Sequence, residues 1–242
     1  MTLMTIILVA LEMVSWFRIL LFFDTIMGFL KKGEIKIDII GEEYREFIYN
    51  SFQKRELEKP LFYNSSVAIR FELGESSMNT DELLYMNQVY KRSQVLFKEI
   101  FLPDDQLYVV WYSECTPGRK WEPTGVLKKY LKVKSLKNRL SAKKVLRDGV
   151  YFFKFVLQCS VKDIRITVML VAIANQDMNI APKLEYECYF LNIEKKIIYH
   201  MYDDRGLDIV ANSAEILKPI YHKYNDWALS YDRNEIEDKL GL

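Results

Sequence analysis

Thiols and imidazoles are scarce in this chain. Its 242 residues include three cysteines, Cys115, Cys159 and Cys188, and two histidines, His200 and His222. The cysteines are odd in number, widely spaced and form no CxxC pair, which argues against a disulfide framework and a zinc ribbon. A zinc site would need most of these five residues to converge, so no metal is expected. Net charge is also nearly absent, at +1, so the chain has no global electrostatic drive toward nucleic acid. Glycine and proline number nine and six, and no Pro/Gly/Ser-rich linker divides the chain, which fits one large domain. Nucleophile motifs, phosphate loops and dinucleotide fingerprints are missing as well, so no cofactor is expected.

What is present is ample apolar surface. Half of the residues are hydrophobic and 14% are aromatic, a composition that offsets chain entropy and folds. The apolar content is densest in residues 1–30, MTLMTIILVALEMVSWFRILLFFDTIMGFL, which are followed by Lys31 and Lys32. About 20 apolar residues span a bilayer, but Glu12, Arg18 and Asp24 interrupt this run. Each charge near the bilayer centre costs about 2.5–3.5 kcal/mol. A secretory signal lacks support, since no basic residue precedes the run and no small-residue cleavage pattern follows it. Three readings of residues 1–40 stay open: a membrane anchor, a soluble packed helix, or a misassigned start with translation from near Met27 or later.

Beyond residue 40 the patterns predict an α+β domain over residues 41–242, with a mostly antiparallel sheet of about five to six strands, flanking helices and a C-terminal helix. Helices are expected over roughly 41–54 and 81–101. The second has Thr80 as N-cap and a stripe of Leu84, Gln88, Val95, Leu96 and Ile100. Strands are expected over 67–73, 107–112, 151–159, 164–174, 184–193 and 196–202, with a turn at Asn192–Lys195. Residues 113–125 read as a loop carrying Trp121. Between Lys128 and Arg147 stand nine Lys/Arg and no acid, a stretch that partly fits a helix. Ser213 can cap a short turn, Pro219 suits the first position of a helix reaching about Tyr231, and Asp232 can cap a last helix ending before Gly241.

The densest polar signal is His200-Met-Tyr-Asp-Asp-Arg-Gly-Leu-Asp208, after the apolar run Ile197-Ile198-Tyr199. Asp203, Asp204 and Asp208 offer carboxylates for a divalent cation or phosphate. The alternative is a structural turn in which Gly206 takes a positive φ and Arg205 pairs with a carboxylate. Ala174-Asn-Gln-Asp177 places Asn175 and Asp177 where they could meet His200 in an acid–base pocket, or simply make turn bonds. Arg70 and Glu72 alternate with apolar residues, so both share one face of a strand, as groove lining or as a surface ion pair.

Four stretches together resemble a bacterial family, domain of unknown function 3885. They are Pro60-Leu-Phe-Tyr63 with Ile69-Arg-Phe-Glu-Leu-Gly74, Ala174-Asn-Gln-Asp177, Tyr199 to Asp208, and Tyr221-His-Lys-Tyr-Asn-Asp-Trp227 with Tyr231-Asp-Arg233. The resemblance covers roughly residues 57–238 and implies one domain, cytoplasmic, with no activity to carry over. It begins after residues 1–40, which favours the misassigned start.

The functional expectation is therefore a non-enzymatic module that binds a protein partner, as adaptor or immunity proteins do. Charge segregation motivates it: 128–147 is basic, whereas 203–238 carries nine Asp/Glu against four Lys/Arg. The alternative is that the two regions neutralise one another. The competing expectation is a metal-dependent hydrolase or phosphate-binding enzyme using Asp203, Asp204, Asp208 and Asp177. A membrane partner enters only through residues 1–30.

Overall fold

The computed structural model describes residues 38–75, 82–115, 129–184 and 186–242. The hydrophobic segment 1–30, the cap at Thr80 and the loop residue Trp121 lie outside them. Residues Ile39–Leu242 form one compact unit. Its elements are α1 (Ile39–Phe52), β1 (Ala68–Glu72), α2 (Glu82–Ile100), β2 (Gln106–Glu114), β3 (Leu140–Arg147), β4 (Val150–Ser160), α3 (Ile166–Ala174), β5 (Glu187–Asn192), β6 (Ile197–Met201), β7 (Gly206–Ala211), α4 (Ala214–Tyr224) and α5 (Arg233–Leu240). The seven strands make one sheet in the order β1-β7-β6-β5-β2-β4-β3, and every pairing is antiparallel. The α+β class holds, with a strand count slightly above that expected.

Side chains alternate across the sheet, so each strand feeds two layers. On one face Phe190 and Tyr199 meet Phe97 of α2, with ring centroids 5.5 and 5.3 Å apart, and the Tyr199 hydroxyl donates to the Ser93 carbonyl at 2.9 Å. On the other, Tyr108 takes Tyr44 and Phe47 of α1 at 5.5 and 5.6 Å. The segment after α1 then runs across this second face toward β1. The outer edge of β1 is closed by the C-terminal region, where Leu229 N donates to the Arg70 carbonyl at 2.9 Å and Ala228 bridges Phe71.

Four local readings are corrected. Residues 164–174 are not a strand; Ile166–Ala174 is helical. Met169, Leu170, Ala172, Ile173 and Ala174 are buried while Thr167 and Val168 are exposed, a helical face inside an almost wholly apolar run that periodicity could not resolve. The basic stretch is not a helix either. Lys134–Arg139 is a 3-10 turn and Leu140–Arg147 a strand, joined to β4 through Asp148 and Gly149 at φ 50° and 79°, the two-residue turn that Asp-Gly specifies. Pro219 does not start a helix; it lies inside α4, which buries Leu217, Ile220 and Tyr221, and Ser213 makes no side-chain cap bond there. On α2 the buried stripe is Tyr85, Met86, Val89, Arg92, Ser93, Leu96, Phe97 and Ile100, so Leu84 faces outward.

Candidate functional site

β6, β7 and β1 bring His200, Asp208 and Arg70 into one row, because His200 pairs with Asp208 across β6–β7 and Asp208 with Arg70 across β7–β1. Asp208 is 1% exposed. It accepts Arg70 Nε at 2.8 Å and Nη2 at 3.1 Å, and the Phe62 backbone N–H at 3.0 Å. Burial raises the Asp208 carboxyl above its ordinary value, with Arg70 pulling against it. Burial also works against the Arg70 charge, but the Asp208 hydrogen bonds and charge outweigh it and hold the guanidinium protonated. Arg70 further lies 3.5 Å from Asp232 Oδ2 and is flanked by Phe62 and Tyr63 at 5.0 and 4.7 Å. The Tyr63 hydroxyl donates to Asp232 Oδ1 at 2.9 Å. Glu72 shares the strand with Arg70 but not this cluster; its carbonyl accepts Arg92 Nη1 at 3.0 Å.

The turn carboxylates are engaged one by one. Asp203 accepts the Arg205 backbone N–H and Nε, each at 2.8 Å. Asp204 accepts the Tyr85 hydroxyl at 2.7 Å, and burial with that bond pushes the phenol well up. Asp203, Asp204 and Asp208 are all buried, yet each faces a different partner. Gly206 does not adopt a positive φ. Glycine is needed there because a Cβ would meet the Tyr202 hydroxyl at 2.3 Å and the Phe71 carbonyl at 2.8 Å.

Asn175, Asp177 and His200 do not gather. Asn175 accepts from Tyr90 at 2.6 Å and donates to the Pro182 carbonyl at 3.1 Å, while Asp177 stands 3.6 Å from Arg205 on the surface. The loop nonetheless reaches this corner, because Gln176 donates to the Tyr202 carbonyl. His200 stacks on Tyr189 at 4.1 Å, and neither ring nitrogen has a hydrogen-bond partner among the described residues. Burial, with Lys59, Arg147 and Arg70 nearby, drives its pKa far down and keeps the ring neutral. The buried thiols are no nucleophiles: burial pushes Cys159 up to about 12 and Cys188 further.

The larger polar feature continues past His200 on the same face, toward residues the sequence did not single out. Tyr189 donates to Glu187. Glu187 also accepts Arg147 Nη1 at 3.1 Å and pairs with Lys59 at 2.8 Å. Arg147 lies over the Tyr112 ring at 4.3 Å. Tyr112 donates to Glu56 at 3.3 Å, and Glu56 takes the buried Lys154 ammonium at 2.5 and 2.7 Å. Burial lowers the Lys154 pKa against the pull of Glu56. At this end the band opens into a cleft of about 490 Å³ lined by Glu56 to Lys59, Leu146 to Asp148, Phe152 and Glu187. That volume suits a small ligand or an inserted side chain. A lysine amid the apolar run Phe152-Phe-Lys-Phe-Val-Leu157 was the available sequence signal, since a charge inside a buried strand must find a partner.

The two charged regions do not neutralise one another through ion pairs among the described residues. Arg147 pairs with Glu187, whereas Asp208, Asp203, Glu215 and Glu235 take Arg70, Arg205, Lys218 and Lys239. Among the described residues no group of three His, Cys, Asp or Glu is arranged to hold a metal. No helix among them is long and apolar enough to cross a membrane.

A family model described as domain of unknown function (DUF3885) matches residues 44–232. The uncharacterized protein YnaE of Bacillus subtilis strain 168 is 29% identical over 205 residues, covering 76% of this chain and 96% of its own. No solved structure matches.

Proposed function

The chain belongs to the family of domain of unknown function 3885, and from that premise, which names no activity, we propose a non-enzymatic module that binds a protein partner at the Glu56–Arg147–Glu187 cleft. One observation carries this reading. The cleft is concave and open, with charged and apolar walls, whereas the carboxylates of the Asp203–Asp208 turn are buried on internal partners. Interfaces place apolar contacts beside fixed polar groups in this way. Arg147 and Glu187 hold each other and are held by Tyr112 and Tyr189, so the floor is organised before a partner arrives, which lowers the entropy cost of binding.

A photo-crosslinking residue placed at Leu146 tests the reading in cells. It should capture one protein species that the same residue at Tyr49 does not. Equal capture at both positions, or none at Leu146, would overturn the assignment.

A further inference from the structure

We infer that the cleft takes a cationic side chain, an arginine or lysine presented by the partner protein; this rests on the reading of the cleft as a binding site. Six of the nine lining residues are charged, four of them carboxylates (Glu56, Glu58, Asp148, Glu187) and two cations (Lys59, Arg147). Both cations are already taken by Glu187, and Arg147 is further fixed by the Leu57 carbonyl at 3.4 Å and by the Tyr112 ring. Glu56 is taken by Lys154. That leaves Glu58 and Asp148, both exposed, as the charges at the mouth that no ion pair engages among the described residues.

An arriving anion would meet these two carboxylates and would have to pull Arg147 or Lys59 off Glu187, whose side chain is only 13% exposed. Leaving that carboxylate without its cations is costly. An arriving cation displaces nothing. Its alkyl stem can lie along Phe152 and the exposed Leu146 while its head reaches Glu58 and Asp148, the arrangement long basic side chains favour.

The test is an NMR titration of the full-length chain with acetyl-Gly-Arg-Gly-amide, and separately with acetyl-Gly-Glu-Gly-amide. The arginine peptide should shift the amides of residues 56–59, 146–148, 152 and 187, and the glutamate peptide should leave them in place. The double variant Glu58→Gln/Asp148→Asn changes only exposed residues. It should keep the native spectrum and raise the arginine peptide's Kd about tenfold, the effect of two partly solvated charge contacts. Arginine binding at unchanged strength in the double variant would overturn the inference. Shifts with the glutamate peptide alone would overturn it while leaving the cleft a binding site. Silence with both peptides would overturn both readings.

Discussion

Removing the Arg70 guanidinium would strand Asp208 and Asp232, two buried carboxylates that share it. Breaking a buried pair from one side costs about 3–5 kcal/mol, because the remaining charge has no compensation. Arg70→Met should therefore lower the unfolding free energy by that amount in urea titration. Arg45→Ala, which removes an ion pair with Glu42 whose side chains are 47% and 62% exposed, should cost under about 1 kcal/mol; equal losses would contradict the distinction between core and surface pairs. His200 gives a pH signature. Its native pKa is depressed far below 6.5, so below that pH the unfolded chain binds a proton that the folded chain refuses. Stability is then lost as pH falls, by about 1.4 kcal/mol per unit at full effect. His200→Phe keeps a ring against Tyr189 and should remove about 1 kcal/mol of the stability change between pH 6.5 and 5.5, the unfolded histidine being half protonated at the start of that interval; parallel curves for the two proteins would contradict it. At this scale the sequence was partly legible. Density of charge marked Asp203–Asp208, and the partners that its carboxylates take, Arg70, Tyr85 and Phe62, lie over a hundred residues away. Glu187 and Glu56 sit in unremarkable strings; the register of β2 with β4 and β5 sets Lys154 and Glu187 on either side of Tyr112, and Glu56 reaches Tyr112 and Lys154 from the segment after α1.

Elements were legible where periodicity and turn chemistry agreed. The strand over 67–73, the turn at Asn192–Lys195 and a C-terminal helix ending at Gly241 follow from local rules, and Gly241 takes the left-handed φ of 65° expected of a helix end. Failures came where burial overrode pattern. The 164–174 run is apolar apart from Arg165 and Thr167, and β7, with all six residues buried, was absorbed into the polar motif before it. Asp148-Gly149 was a readable hairpin turn hidden behind a basic stretch. Pro219 is the exception that packing imposes: an exposed proline inside α4, where it removes one N–H from the helix ladder and crowds the preceding turn. Pro219→Ala restores that donor toward the Glu215 carbonyl and should raise the thermal midpoint, with a gain of about 1–2 kcal/mol after the lost proline rigidity is counted. An unchanged or lower midpoint would mean that the proline is accommodated without strain.

Across the whole molecule, charge is sorted by sheet edge. The basic strand β3 forms one end of the strand order and β1, closed by the C-terminal region, forms the other. A polar band on the α1 face links them, from Arg70 and Asp208 through His200 and Tyr189 to Glu187, Arg147 and the cleft. The fold class and the family could be read from the chain alone; the cleft could not, because it is assembled from the 56–59 segment, the β3–β4 turn and the start of β5. On the function proposed above, a partner is recognised at this cleft and not at the Asp203–Asp208 corner. Affinity capture from the native host tests it most directly, comparing the wild type with Glu58→Lys/Asp148→Lys and with Asp177→Asn/Arg205→Ala. A protein recovered by the wild type and by the corner variant, but lost with the cleft variant, is the predicted result. The same protein lost with the corner variant and retained by the cleft variant would contradict it.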